Sequence, residues 1–491
     1  MSAPPPDKAQ ADRAQRDNAQ PGTARPKAHH GPRPAVPAGW ATPAAGEHRV
    51  GAVHEYRGMR ATEHHFTVPL DHDDPDGEAI RVFGREVVSL DHADPEQLPW
   101  LLYLQGGPGG QAPRVSSLSG WMAEAAKTFR LFLLDQRGTG LSTPATRQTL
   151  PLRGDAAAAA AYLEHFRADS IVRDAEWIRR RLVDGPWTAF GQSYGGFCVL
   201  TYLSLAPDGL ERALVTGGLA PLAGPAERVY RATFARMAER NAEYFRAYPE
   251  DRGTLTRILR HVGDTEETLP DGRRLTAGTV QLLGQFLGGN ARIDQLHFAL
   301  EAAFVPTPAG PRLSDAFLDL LQAQVSRSSN PLYALMHESI YAQGEATNWA
   351  AWRVLEEFPE FSPESPEPLL TGEMVYPWYF ELDPALRRLE QVAGLLAQKD
   401  DWPALYDPAR LAANTVPVAA AVYTHDVYVD RDLSLETAGA VRGLRVWETD
   451  RFHHDGISDD GAAIFARLLA LTEPEDGSEP EGGSRRRAAD A

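Results

Sequence analysis

Cysteine occurs once in this 491-residue chain, at Cys198, so no disulfide can form within it. Proteins of oxidising compartments commonly rely on such bridges, and a lone thiol fits a reducing one, so a cytoplasmic protein is expected. Long apolar runs are missing as well. No stretch of about 18 or more uninterrupted apolar residues occurs, which argues against a membrane-spanning helix. The opening segment MSAPPPDKAQADRAQRDNAQPGTARPKAHHGPRP carries no apolar core behind its basic residues, so no secretion signal is expected there. Positive charge is in deficit: 49 Lys and Arg stand against 67 Asp and Glu, a formal net charge of -18. A phosphate backbone needs a concentrated basic surface, and a nucleic-acid partner is therefore not expected. No His-Glu-x-x-His or comparable ligand cluster appears, so neither a metal nor another cofactor is expected.

Residues 1–45 and 472–491 are rich in Pro, Ala, Gln and charged residues and poor in aliphatics. Such segments cannot bury enough apolar surface to offset their ordering entropy, and disordered tails are expected. Between them, HHFTVPLDH and AIRVFGREVVSL flank the turn-forming DDPDG, which predicts a hairpin. Short apolar runs ending in glycine follow: WLLYLQGGPGG, FRLFLLDQRGTG, WTAFGQSYGG and RALVTGGLAP. The segment DSIVRDAEWIRRRLVD repeats Ile171, Ala175, Ile178 and Leu182 on one helix face, with Asp169 or Ser170 as the expected N-cap. Apolar strands alternating with amphipathic helices predict an α/β fold with a mainly parallel sheet covered on both faces. From about Leu222 to Pro408 the alternation yields to a helical pattern rich in Trp and Tyr, before VPVAAAVYTHD and LRVWETD resume the strands. The expected organisation is a core in two parts, 46–221 and 409–471, with 222–408 inserted as a helical cap, or lid.

The junction WTAFGQSYGGFCVLTYLSL carries the chemistry. Ser193 lies between Gly191 and Gly195, after an apolar strand and before the helical face Phe197, Leu200 and Leu203. That is the pattern of a strand-to-helix elbow, on which a serine hydroxyl is exposed to attack a carbonyl. Serine is a weak nucleophile and needs a base, normally His, oriented by a carboxylate, and on this fold they follow it in the order Asp or Glu, then His. Just past one late strand stands Asp426, with Asp430 and Asp432 nearby; His453 and His454 follow the next. The negative charge on the attacked oxygen needs backbone donors. Tyr194, after the nucleophile, is one source, and the loop Gln105-Gly106-Gly107-Pro108-Gly109 is the other. That loop is not read as a phosphate cradle, because no Lys-Ser or Lys-Thr follows it.

In this order, LQGGPGG, DQRGTGLS, GQSYGGF, HDVYVD and HHDG resemble the proline iminopeptidases (prolyl aminopeptidases), serine peptidases of the α/β-hydrolase fold. The resemblance runs from about Glu63 to Leu471. It implies Ser193 as nucleophile, Asp426 as orienting carboxylate, His454 as general base and acid, and Gly107 and Tyr194 as oxyanion donors. Many members have His where this chain has Gln105, a change expected to alter the pocket wall and not the reaction. The implied substrates are short peptides with a free N-terminus, preferentially proline, and their cationic amine needs a carboxylate. The segment LMHESIYAQGEATNWAAW offers Glu338 and Glu345 beside Tyr341, Trp349 and Trp352. The resemblance favours Glu338, while an exposed helix-face glutamate and a packing aromatic stripe remain the plainer reading. Tripeptidyl aminopeptidases and esterases share the scaffold, and a binding protein on the same fold would be expected to have lost part of the triad.

Overall fold

The computed structural model describes residues 45–290 and 292–474, and the two expected tails lie almost wholly outside them. The strands are β1 (His48–Tyr56), β2 (Met59–Pro69), β3 (Ala79–Ser89), β4 (Trp100–Leu104), β5 (Arg130–Asp135), β6 (Trp187–Gln192), β7 (Leu210–Thr216), β8 (Phe304–Val305), β9 (Arg312–Leu313), β10 (Val418–Tyr423) and β11 (Leu444–Thr449). All but the short β8–β9 pair form one nine-stranded sheet in the order β1-β2-β3-β5-β4-β6-β7-β10-β11. From β5 to β11 every neighbouring pair is parallel, whereas β1, β2, β3 and β5 pair antiparallel. The predicted hairpin is β2–β3.

The continuous apolar character of β4, β5 and β10 follows from burial on both faces. Leu101, Tyr103, Leu131 and Leu133 point into one core with Trp121, Ile464, Phe465 and Leu468. Their neighbours Leu102, Leu104, Phe132 and Leu134 point into the other, with Ile171, Ala175, Leu200 and Leu203. One α/β sandwich results, and the strand ends that carry Gln105, Ser193 and Asp426 lie on the same side of it.

The helix expected from DSIVRDAEWIRRRLVD spans Ala168–Leu182, and its N-cap is Arg167 rather than Asp169 or Ser170. Arg167 is extended in backbone and makes no side-chain cap, since a guanidinium has no acceptor for a helix N–H; it donates elsewhere instead, Nη1 to the carbonyls of Ser339 (3.2 Å) and Ala342 (2.5 Å) and Nη2 to that of Pro403 (2.7 Å), and the group lies over Trp402. Between β7 and β10 the regular elements are helices apart from β8 and β9, joined by loops and beginning with the long helices Ala226–Ala247 and Pro249–Asp264. No described helix is long and apolar enough to cross a membrane.

Candidate active site

Ser193 joins β6 to the helix Tyr194–Leu205 with φ 55° and ψ -124°, a left-handed conformation unusual for a residue with a Cβ. The glycines around it are required by space. A Cβ on Gly195 would stand 1.9 Å from the carbonyl oxygen of Leu104, and one on Gly191 would stand 2.3 Å from that of Gly195. The elbow therefore presses the helix start against the end of β4 and projects the serine side chain from the turn.

Two further loops converge on that hydroxyl. His454, in the loop after β11, places Nε2 3.0 Å from Ser193 Oγ. Its Nδ1 lies 2.8 Å from Asp426 Oδ2 and 3.1 Å from Oδ1. Asp426 Oδ1 also accepts the backbone N–H groups of Tyr428 (2.8 Å) and Val429 (2.9 Å), which fix the carboxylate. All three residues are buried. Burial pulls the His454 pKa down, but the charge and hydrogen bond of Asp426, helped by Glu373 and Asp455, outweigh it and raise the value to about 9.

The neighbouring candidates are occupied otherwise. Asp430 caps the helix Arg431–Ala440, accepting from the N–H groups of Asp432 and Leu433, and Asp432 pairs at the surface with Arg431. The His453 ring turns to Asn290, and burial holds its pKa down to about 4.

The run DQRGTGLS, from Asp135 to Ser142, fastens the glycine loop rather than reaching the cavity. Asp135 accepts from the N–H groups of Ala112 and Leu141 and is paired with Arg114 at 2.6 Å, while Gln136 Nε2 donates to the carbonyl of Gln105. Arg137 is buried and bridges Asp174 to the carbonyls of Leu70 and His165. Gln105 itself, expected at the pocket wall, is not among the lining residues; its amide meets Gln192 and Tyr103 beneath the elbow.

A narrow cavity opens on Ser193. Gly107, Tyr194 and Tyr341 line it, together with Tyr230, His337 and Glu373 from the segment between β7 and β10. Tyr194 is the first residue of its helix, where a backbone N–H has no partner within the helix.

Glu338, favoured as the amine's partner, is not among the lining residues. Its oxygens accept the N–H groups of Ala350 (3.0 Å) and Ala351 (2.9 Å), at the start of the helix Ala350–Leu355, and burial raises its pKa to about 7. Glu345, Trp349 and Trp352 do not line the cavity either, and Trp352 is 41% exposed. The carboxylate at the cavity is instead Glu373, whose pKa is raised by burial against the opposing charges of His454 and Arg327. Its sequence signal is an isolated acid in the otherwise uncharged run from Leu369 to Tyr376. Among the described residues, no group of three or more His, Cys, Asp or Glu is arranged to hold a metal ion.

Residues 99–254 match the alpha/beta hydrolase fold family. A tripeptidyl aminopeptidase of Streptomyces coelicolor is 27% identical over 187 residues, 32% of this chain and 34% of that one. A proline iminopeptidase of Aspergillus aculeatus is 35% identical over 84% of this chain and 94% of its own. A proline iminopeptidase of Aeromonas sobria is 47% identical over 417 residues, covering 84% of this chain and 97% of that one. With similarity of that degree running along nearly the whole length of the last two, the chain belongs to the proline iminopeptidase family of α/β-hydrolase-fold enzymes.

Proposed function

We propose that this protein is a cytoplasmic serine aminopeptidase that removes N-terminal proline from short peptides through an acyl-enzyme. The observation that carries the reading is a buried Ser193–His454–Asp426 chain opening into a cavity lined by one carboxylate, Glu373. Neutral His454 accepts the Ser193 proton at Nε2 as Oγ attacks the scissile carbonyl, and Asp426 stabilises the imidazolium that forms. The N–H groups of Gly107 and Tyr194 receive the oxyanion. His454 then returns the proton to the leaving amine, and water repeats the sequence to free proline and regenerate Ser193.

The amine anchor is Glu373, and Glu338 serves the fold by holding the Ala350–Leu355 helix. Tyr341 supplies an aromatic wall for the pyrrolidine ring. Residues 222–408 act as the cap that closes the site, and this closure favours a single terminal residue over the three that a tripeptidyl enzyme must admit. The single, buried thiol of Cys198 agrees with a reducing cytoplasm.

A panel of prolyl, alanyl and tripeptidyl arylamides, each with free and acetylated N-termini, tests the reading. Free prolyl arylamide is expected to be the best substrate, with acetylation abolishing turnover. Preferred cleavage of the tripeptidyl substrate, or indifference to acetylation, would reject it.

A further inference from the structure

His337 stands beside Glu373 in the cavity and is 4% exposed. Its Nε2 lies 2.7 Å from the backbone carbonyl oxygen of Glu373. A carbonyl can only accept, so this nitrogen carries the ring proton and donates it. Burial lowers the pKa of the ring to about 4, aided by the charge of Arg327, and the ring is neutral under ordinary conditions. Nδ1 is consequently a lone-pair acceptor. It is buried and has no hydrogen-bond partner among the described residues. Buried polar atoms are almost always paired, so an acceptor left open in a cavity wall points to a donor that arrives with a ligand.

We infer that His337 is a second acceptor for the substrate's cationic amine, with Nδ1 taking one N–H while the Glu373 carboxylate takes another. The inference rests on the amine-recognition reading above. It deepens that reading by naming a specificity-determining residue whose two nitrogens have separate tasks. Nε2 holds the backbone of Glu373 in place, and Nδ1 reads the ligand. Two acceptors match the two N–H bonds of a protonated pyrrolidine ring. A neutral imidazole adds the second contact without a second negative charge, which would raise the cost of desolvating the empty site.

The probes are pyrrolidine, cationic at the pH of the assay, and cyclopentanol, its neutral counterpart in size, each measured as an inhibitor of acetyl ester hydrolysis. In His337→Phe, which fills the space without donating or accepting, the inhibition constant for pyrrolidine is expected to rise about tenfold or more relative to that for cyclopentanol. His337→Gln can donate through Nε2 and accept through Oε1, and it is expected to recover part of the loss. Should His337→Phe fail to fold, His337→Met removes the same acceptor. An unchanged ratio in either variant, or an equal weakening of both inhibitors, overturns the inference while leaving Glu373 as the anchor. Failure of pyrrolidine to inhibit the wild-type enzyme better than cyclopentanol would instead overturn amine recognition altogether.

Discussion

The hydroxyl of Ser193 points toward His454 and contributes nothing to the apolar cores, so its removal separates chemistry from stability. Ser193→Ala is expected to lose several orders of magnitude in kcat with its thermal midpoint nearly unchanged. His454→Ala should match that loss and His453→Ala should not, since the latter ring faces Asn290. Assays of all three variants on one arylamide check both statements. The proposed role of His454 predicts a pH dependence. A base works only when deprotonated, and with the pKa raised to about 9 activity is expected to be lost as pH falls through that value. With an uncharged ester, kcat/KM should rise toward alkaline pH with a midpoint near the value for His454. The charge of Glu373 helps to hold that proton, so Glu373→Gln should move the midpoint to lower pH. An unmoved midpoint would show that the two groups do not interact.

At the scale of elements, the short helix Ala350–Leu355 depends on a carboxylate outside it. Glu338→Gln keeps one acceptor but turns the other into a donor facing an N–H, and a loss of about 1 to 3 kcal/mol in unfolding free energy is expected. Denaturant titration checks this. Ester and prolyl arylamide activities should respond to the same degree, whereas Glu373→Gln should penalise the arylamide selectively. This pair also marks where reading the sequence stops. The sheet strands from β2 onward, the elbow and the His454 and Asp426 loops were legible because local pattern governs them: apolar runs buried on both faces, glycines forced by close approach, and polar residues just past strand ends. Strand β1 was not, since His48–Tyr56 lies at the sheet edge with Val50 and Val53 each 53% exposed and shows no clean alternation. Glu338 and Glu373 are 35 positions apart in a region of short helices and loops, and no periodicity there reveals which carboxylate faces a cavity and which meets a helix start. The Arg167 N-cap was hidden for the same reason, its partners lying more than 170 residues away.

Across the whole molecule, Arg167 ties the sheet-covering helix Ala168–Leu182 to the inserted segment that carries Tyr341. Arg167→Met leaves the carbonyls of Ala342 and Pro403 without their donor, while that of Ser339 keeps the N–H of Ala342, and should lower stability by roughly 2 kcal/mol or more. It should also depress turnover of every substrate together, without moving the pH midpoint. Calorimetry alongside the ester pH profile tests both, and an altered midpoint would place Arg167 in the chemistry. Ser193 and His454 are themselves separated by 261 positions. A ribosome therefore makes Ser193 long before the histidine proposed to activate it, and the helix Gly456–Leu471 is the last part of the described sandwich to emerge. A chain cut short before His454 would therefore lack the proposed base however much of the sandwich had formed, and is expected to be inert toward the peptides around it.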